Sequence, residues 1–235
     1  MFISFEGIDG SGKSTQARLL AEALRAEGRE VVLTREPGGS PGAEQIRRLL
    51  VEGRADRWSP ETELLLFTAA RRDHLERTIR PALDRGAWVV SDRFADSTRV
   101  YQGVARGDLA QAVEDLHRLM IGVEPDRTFV IDLDPAQALA RATGRMPQQA
   151  QAGDAIRSHA PDSMAAPLAG STSLSGAPVF SDSAAEDRFE GMGLGFQQRL
   201  RDGFCALARM HPDRVRLIDG SGPGEAVAAR VRAAL

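Results

Sequence analysis

Eight residues near the N-terminus carry the plainest chemistry in this chain. Gly7-Ile8-Asp9-Gly10-Ser11-Gly12-Lys13-Ser14 has the spacing G-x-x-x-x-G-K-[ST]. In that pattern glycines let backbone N–H groups close around phosphate oxygens, the lysine reaches the β and γ oxygens, and the hydroxyl coordinates Mg²⁺. Lys13 is the only lysine; Lys and Arg total 30, so 29 of the cations are arginine. The arginine excess reads as a composition bias with no meaning for mechanism. A lysine kept against it marks a position where a compact ammonium serves and a planar guanidinium does not. A chance glycine-rich turn is the plain alternative. Context argues against it, because residues 2–5 read as a strand and 15–27 as a helix, the strand-loop-helix setting the motif requires.

A phosphate loop implies a nucleotide and no more. Guanine recognition through Asn-Lys-x-Asp is excluded, since the chain has no Asn and no second Lys. Three further groupings narrow the class. Thr34-Arg35-Glu36-Pro37-Gly38-Gly39 follows a strand-like run and puts two charges and a tight turn where open α/β folds bind ligands. Asp92-Arg93-Phe94 follows another such run; there an Asp can act on Mg²⁺ directly or through water, and an Arg can clamp a phosphate with its planar fork. Phe67 and Arg71, one helical turn apart, offer a base stacking and a hydrogen-bonding fork. Phe67 alone reads as core. Together with Ser97, Thr98, Tyr101 (the single tyrosine) and Gln102 it favours a pyrimidine pocket.

These groups need a scaffold that gathers them. The 235 residues suit one large α/β domain, 1–235. Apolar runs at 2–5, 31–34, 88–91, 128–133 and 215–218 alternate with helical stretches at 16–27, 43–51, 60–85, 109–120, 136–142, 185–210 and 224–235. Strands alternating with helices imply a parallel sheet covered on both faces. Ser59-Pro60-Glu61-Thr62-Glu63 is a helix start with Ser as N-cap and Pro at the first position. From about 146 to 183 the chain is Ala, Ser, Gly, Pro and Gln with few large apolar residues, which reads as a long flexible insertion.

A formal net charge of −3 argues against a general nucleic-acid binder and for a small anionic ligand. The lone Cys205, in an apolar run, is expected in the core. One cysteine allows no disulfide framework, which fits a cytoplasmic protein. No run approaches the ~18 apolar residues of a membrane span, and the N-terminus enters a strand without a leader pattern.

In their order and approximate spacing, the phosphate loop, Thr-Arg-Glu-Pro-Gly-Gly, Asp92-Arg93-Phe94 and residues 97–102 resemble the bacterial type of thymidylate kinase, within the nucleoside monophosphate kinases. The resemblance runs from 1 to about 145 and resumes from 185. It implies a P-loop kinase fold, with a five-stranded parallel sheet, helices on both faces and a lid insertion at about 143–185. It also implies transfer of the ATP γ-phosphate to dTMP giving dTDP, dependence on Mg²⁺, and a homodimer packed through helices. Neither nucleic acid nor membrane is an expected partner. Position by position, Phe67 matches the aromatic that stacks on thymine and Arg71 the arginine on its carbonyl. Thr98 and Gln102 match contacts to the other polar edge, and Tyr101 the aromatic that crowds the 2′ position. Arg93 and Arg47 match acceptor-phosphate ligands, and Asp9 the carboxylate facing the 3′-OH or the donor. Glu36 and Ser97 fall within the same acceptor pocket. Residues Gly7, Ile8, Asp9, Gly10, Ser11, Gly12, Lys13, Ser14 and Thr15 match the ATP cradle, Arg141 an arginine packed against adenine, and Ser14 with Asp92 the metal positions.

The family stabilises transition-state charge either from a basic residue within the loop or from lid arginines. Ile8, Asp9, Gly10 and Ser11 are not basic, so the lid must supply the cation. Arg145 occupies the matching position and joins Lys13 and Arg93 as a catalytic candidate. Arg157 or Arg188 could share or replace it. Two rivals stay open, a kinase for another pyrimidine nucleoside monophosphate and a regulatory module that binds nucleotide without transferring phosphate.

Overall fold

The computed structural model describes residues 1–52, 57–105, 108–143 and 193–235. The predicted insertion, with Arg145, Arg157 and Arg188, lies outside the described residues. Five strands form one all-parallel sheet: β1 Phe2–Glu6, β2 Val31–Arg35, β3 Trp88–Asp92, β4 Arg127–Asp132 and β5 Val215–Asp219, in the order β2-β3-β1-β4-β5. Each strand coincides with a predicted apolar run. β1 is buried along its whole length, as a central parallel strand covered on both faces must be.

Alternation along the strands divides the core. Ile3, Phe5, Val90, Phe129 and Ile131 pack on one face against α1 (Lys13–Ala26) and the last helix, α9 (Gly224–Ala233), through Leu20, Leu24, Val227 and Val231. On the other face Phe2 and Val89 meet Leu75, Ile79 and Phe94. Val130 on that side meets Phe196, Leu200 and Phe204 of α8 (Leu194–Met210). The inward residues of α8 recur at 196, 200, 204 and 207, which turns Cys205 onto its flank. The thiol is therefore only half-buried, a correction to the core position its apolar run suggests.

α2 (Pro41–Val51) and α3 (Pro60–His74) pack side by side. Ser59 Oγ caps α3, accepting from the Thr62 N–H at 3.2 Å. The predicted helix over 60–85 is interrupted: α3 passes through a π turn at Leu75–Ile79 into α4 (Arg80–Asp84). Pro81 has no N–H to donate to the preceding turn, and the hydrogen-bond register changes just before it. A second departure is α5 (Ala95–Val100) with the π turn Tyr101–Ala105, where no helical periodicity marks the sequence. Its anchor is ionic. Buried Asp96 accepts from Arg214 at 2.5 and 3.1 Å, from Arg99 at 2.8 Å and from the Thr128 hydroxyl at 3.0 Å. Burial alone would raise the Asp96 carboxyl, but Arg214 and Arg99 outweigh it and hold it below its ordinary range. α6 (Ala110–Leu116) continues into a π turn at His117–Ile121, and α7 (Pro135–Thr143) follows β4.

Candidate active site

The carboxyl ends of β1, β2 and β3 converge on one edge of the sheet. β1 runs directly into the phosphate loop, and α1 starts at Lys13. Gly10 has φ +78°, and a Cβ there would lie 2.1 Å from the Ala138 carbonyl oxygen of α7, so only glycine lets the loop pack on that helix. Lys13, 2% exposed, folds back so that Nζ lies 3.3 Å from Asp9 Oδ1. The α1 N-terminus, whose first N–H groups take no bond within the helix, adds a positive dipole end to the same loop. Ser14 is half-buried and Thr15 exposed in the first turn of α1. Arg141, on α7, donates to the Gly220 carbonyl at 3.4 Å.

Beside the loop opens a cleft of about 740 Å³, part of it open to solvent. Asp9, Glu36, Arg47, Phe67, Arg71, Arg93, Ser97, Thr98, Tyr101 and Gln102 all line it, with Asp92 at its wall. Lys13, Ser14, Thr15 and Arg141 do not line this cleft and sit on the loop side.

One wall is cross-braced around Arg71. Its Nε donates to Glu36 Oε2 at 2.7 Å, and its Nη2 donates to the Phe94 carbonyl at 3.1 Å and to Thr98 Oγ1 at 3.0 Å. No described residue takes a hydrogen bond from Nη1. The other Glu36 oxygen accepts from His74 Nδ1 at 2.9 Å. Both carboxylate oxygens are thus engaged, and Glu36, which lines the cleft, also orients Arg71. Gln102 is 1% exposed, and its Nε2 has no hydrogen-bond partner among the described residues. A buried donor of that kind needs an acceptor.

The opposite wall centres on Arg93, at φ +70° the one non-glycine residue in left-handed backbone among the described residues. Its Nη2 bonds Asp9 Oδ1 and, at 3.2 Å, the Tyr101 hydroxyl, while Nη1 reaches Ser97 Oγ at 3.0 Å and the Gly7 carbonyl at 3.3 Å. The guanidinium lies 5.1 Å over the Tyr101 ring. Beneath it sits Glu6, at the end of β1 and 0% exposed. Its oxygens take the Phe94 N–H at 2.7 Å and lie 2.5 Å from Ser97 Oγ. Burial, reinforced by Asp96, pushes the Glu6 carboxyl up to about 8 against the pull of Arg93. Burial also pushes the Tyr101 phenol above its ordinary value.

The thymidylate kinase family model matches residues 5–159. A thymidylate kinase of Dinoroseobacter shibae is 58% identical over 233 residues, covering 99% of this chain and 95% of the relative. One of Ruegeria pomeroyi is 55% identical over 231 residues, covering 98% and 92%. The chain belongs to the thymidylate kinase family. A crystal structure of a thymidylate kinase from Ehrlichia chaffeensis, 33% identical, superposes with a TM-score of 0.68 over 100% of this chain and 97% of that one. The sheet of five parallel strands with helices on both faces is the P-loop kinase fold of that family. The likeness to the two relatives covers nearly the whole chain, so it does not stop at Arg145 and resume at 185 as the motifs alone suggest.

Within this thymidylate kinase family member, sequence reasoning missed both braces, His74 and Glu6. His74 lies three residues after Arg71, on the same helix face, which is a usable signal. Glu6 is an acid ending an apolar strand destined for burial on both faces, and that anomaly also stands in the sequence. Arg35 and Pro37 belong to a motif already singled out. Leu50 and Val51, which complete the cleft together with Phe94 of the Asp92-Arg93-Phe94 motif, carry no signal beyond apolar character.

Proposed function

We propose that the cleft holds dTMP and that the phosphate loop presents ATP to it, the chain catalysing ATP-dependent phosphorylation of dTMP to dTDP. Family membership supports the reaction. The observation that best supports the assignment of sites is the fixed Arg71 guanidinium, with Nη1 the one nitrogen not hydrogen-bonded within the described protein, in a cleft that also holds Phe67 and the Gln102 amide. Arg71 meets a pyrimidine carbonyl, Phe67 stacks on the ring, and Thr98 and Gln102 face its other polar edge. Tyr101 closes the 2′ position. Arg93 and Arg47 bind the acceptor phosphate, with Ser97 bracing Arg93 and Asp9 between Lys13 and the sugar. On the donor side the loop from Gly7 to Thr15 cradles the ATP phosphates and Arg141 flanks adenine.

Transfer is direct and in line, so catalysis is positioning plus charge stabilisation. Lys13, Arg93 and the lid arginine Arg145 supply the charge. Ser14 on the loop side and Asp92 at the cleft wall offer a hydroxyl and a carboxylate, the hard oxygen donors that Mg²⁺ takes. Bound there, Mg²⁺ would neutralise charge on the phosphates. Residues 1–235 act as one kinase domain with the lid at about 143–185. Exposed Leu65, Leu119 and Met120 on α3 and the turn after α6 support a homodimer packed through helices. No described helix is long and apolar enough to cross a membrane, in keeping with a cytoplasmic enzyme. A coupled assay of ADP release tests the reading. dTMP should be the preferred acceptor over dUMP and CMP, and ADP release indifferent to dTMP would defeat it.

A further inference from the structure

His74 ends α3 fully buried, yet both of its ring nitrogens are engaged. Nδ1 lies 2.9 Å from Glu36 Oε1 and Nε2 lies 2.7 Å from Thr34 Oγ1. A carboxylate only accepts, so Nδ1 carries a proton whatever the charge on the ring. In the neutral ring Nε2 then accepts from the Thr34 hydroxyl, and the tautomer is fixed. The Thr34–Gly39 segment closes tightly around this imidazole. A Cβ on Gly39 would lie 2.4 Å from both Nε2 and Thr34 Oγ1, and the Gly39 carbonyl is held by the Thr78 hydroxyl at 2.7 Å.

The consequence falls on Arg71. Glu36 gives one oxygen to His74 and the other to Arg71 Nε. With Nη2 fixed by Phe94 and Thr98, the guanidinium plane is determined and Nη1 remains for the cleft. If His74 loses its donor, a buried carboxylate oxygen is left unpaired. Glu36 can relieve that by turning both oxygens toward the Arg71 fork, which rotates the guanidinium. We propose that His74 is a positioning residue for base selection, which through Glu36 sets the plane of Arg71 so that the cleft offers a hydrogen-bond donor to the pyrimidine 4-position. The inference rests on the reading of the cleft as the dTMP site. A donor there accepts a 4-oxo base and opposes a 4-amino base, so its alignment is read in the preference for dTMP over dCMP.

The test compares His74→Leu, which keeps most of the bulk and removes the Nδ1 donor and the Nε2 acceptor, with His74→Asn, whose amide N–H takes the place of Nδ1. kcat and KM are measured for dTMP and dCMP at saturating ATP, and KM for ATP separately. In His74→Leu, KM for dTMP should rise and the dTMP/dCMP ratio of kcat/KM should fall, each about tenfold or more, with KM for ATP unchanged. His74→Asn should recover most of that ratio. A structural role alone would lower the melting temperature and the active fraction while leaving the ratio unmoved, and that result overturns the proposal. Equal ratios in the Leu and Asn variants overturn it as well. Should His74→Leu not fold, Thr34→Val, which frees Nε2, should lower the ratio by about threefold, and an unchanged ratio there is equally fatal. A wild-type chain that turns over no dTMP defeats the assigned function and this inference together. An active wild type with unmoved ratios in the variants defeats this inference alone.

Discussion

The two halves of the site are built by different means. On the loop side, glycines at φ +137°, +78° and +98° and the start of a long helix present backbone N–H groups, and the side chains are few. On the cleft side the key polar groups are held largely by other side chains: Arg71 by Glu36 and Thr98, Glu36 by His74, Arg93 by Asp9, Tyr101 and Ser97, and Ser97 against Glu6. Phosphates are alike in every nucleotide, and a backbone cradle suffices for them. A base must be told from its analogues, and that takes donors fixed in direction by a second layer of residues. The contrast carries a kinetic expectation. Damage to the loop side should appear in kcat, and damage to the cleft wall in KM and substrate preference.

The largest effects belong to the loop side and its lid. Arg145→Ala should lower kcat by about 10³- to 10⁵-fold with both KM values little changed, as for an arginine that meets charge only during transfer. Lys13→Arg should lower kcat by about 10²- to 10³-fold in a folded protein. The ammonium is buried 3.3 Å from Asp9, a position for a compact point charge that a wider planar fork replaces poorly. Steady-state kinetics of both variants decide the point. A rise in KM for dTMP at constant kcat would place these residues with the cleft wall and dissolve the distinction.

The same contrast explains what could be read from the sequence. The loop was legible because glycine spacing is local; β1, β3 and β4 were legible because burial on both faces writes continuous apolar runs, and the edge strands β2 and β5, less buried, showed as β-branched runs between helical stretches. The cleft is assembled from residues 36, 67, 71, 93, 98, 101 and 102, which only the fold brings together. No spacing rule reaches from Glu36 to Arg71; in the sequence Phe67, Arg71, Thr98, Tyr101 and Gln102 point to a pyrimidine pocket and Arg93 to a phosphate clamp, while the individual contacts to base and sugar come through resemblance. α5 was invisible because its stability comes from Asp96 meeting Arg214, 118 residues away, and not from a periodic apolar face. His74 and Glu6 were missed because a buried polar residue shows its purpose only through partners.

Smaller in expected effect, and aimed at the cleft wall, is a change of sugar preference. Tyr101 is buried, in T-shaped pairs with Phe196 and with Phe204, ring centroids 6.4 Å apart in each. Tyr101→Ala should therefore cost about 3–5 kcal/mol of stability as well as opening the 2′ position. The ratio of kcat/KM for dTMP and ribothymidine monophosphate is independent of the folded fraction, and it should fall toward unity by about tenfold or more. An unchanged ratio beside a lowered melting temperature would reduce Tyr101 to packing and weaken the claim that the wall selects.

The smallest effect on activity, though not on stability, separates bracing from chemistry at Glu6. Its folded value of about 8 stands above the 4.5 of an ordinary glutamate, because burial disfavours the charged form and Asp96 adds to it. Between those values the folded chain holds a proton that the unfolded chain has released, so stability falls as pH rises from about 4.5 to 8. The slope approaches about 1.4 kcal/mol per pH unit at its steepest. Glu6→Gln copies the protonated acid: the amide oxygen can take the Phe94 N–H, and the amide N–H can be given to Ser97 Oγ. The variant should match the wild type near pH 5 and become the more stable of the two as pH rises toward 8.5, with Arg93 still held through Ser97 and kcat near that of the wild type. Urea midpoints for both proteins at four pH values across the window measure this directly. Parallel curves would mean that Glu6 carries no proton in the folded chain. The brace beneath Arg93 would then be a carboxylate, and Gln would weaken it at every pH.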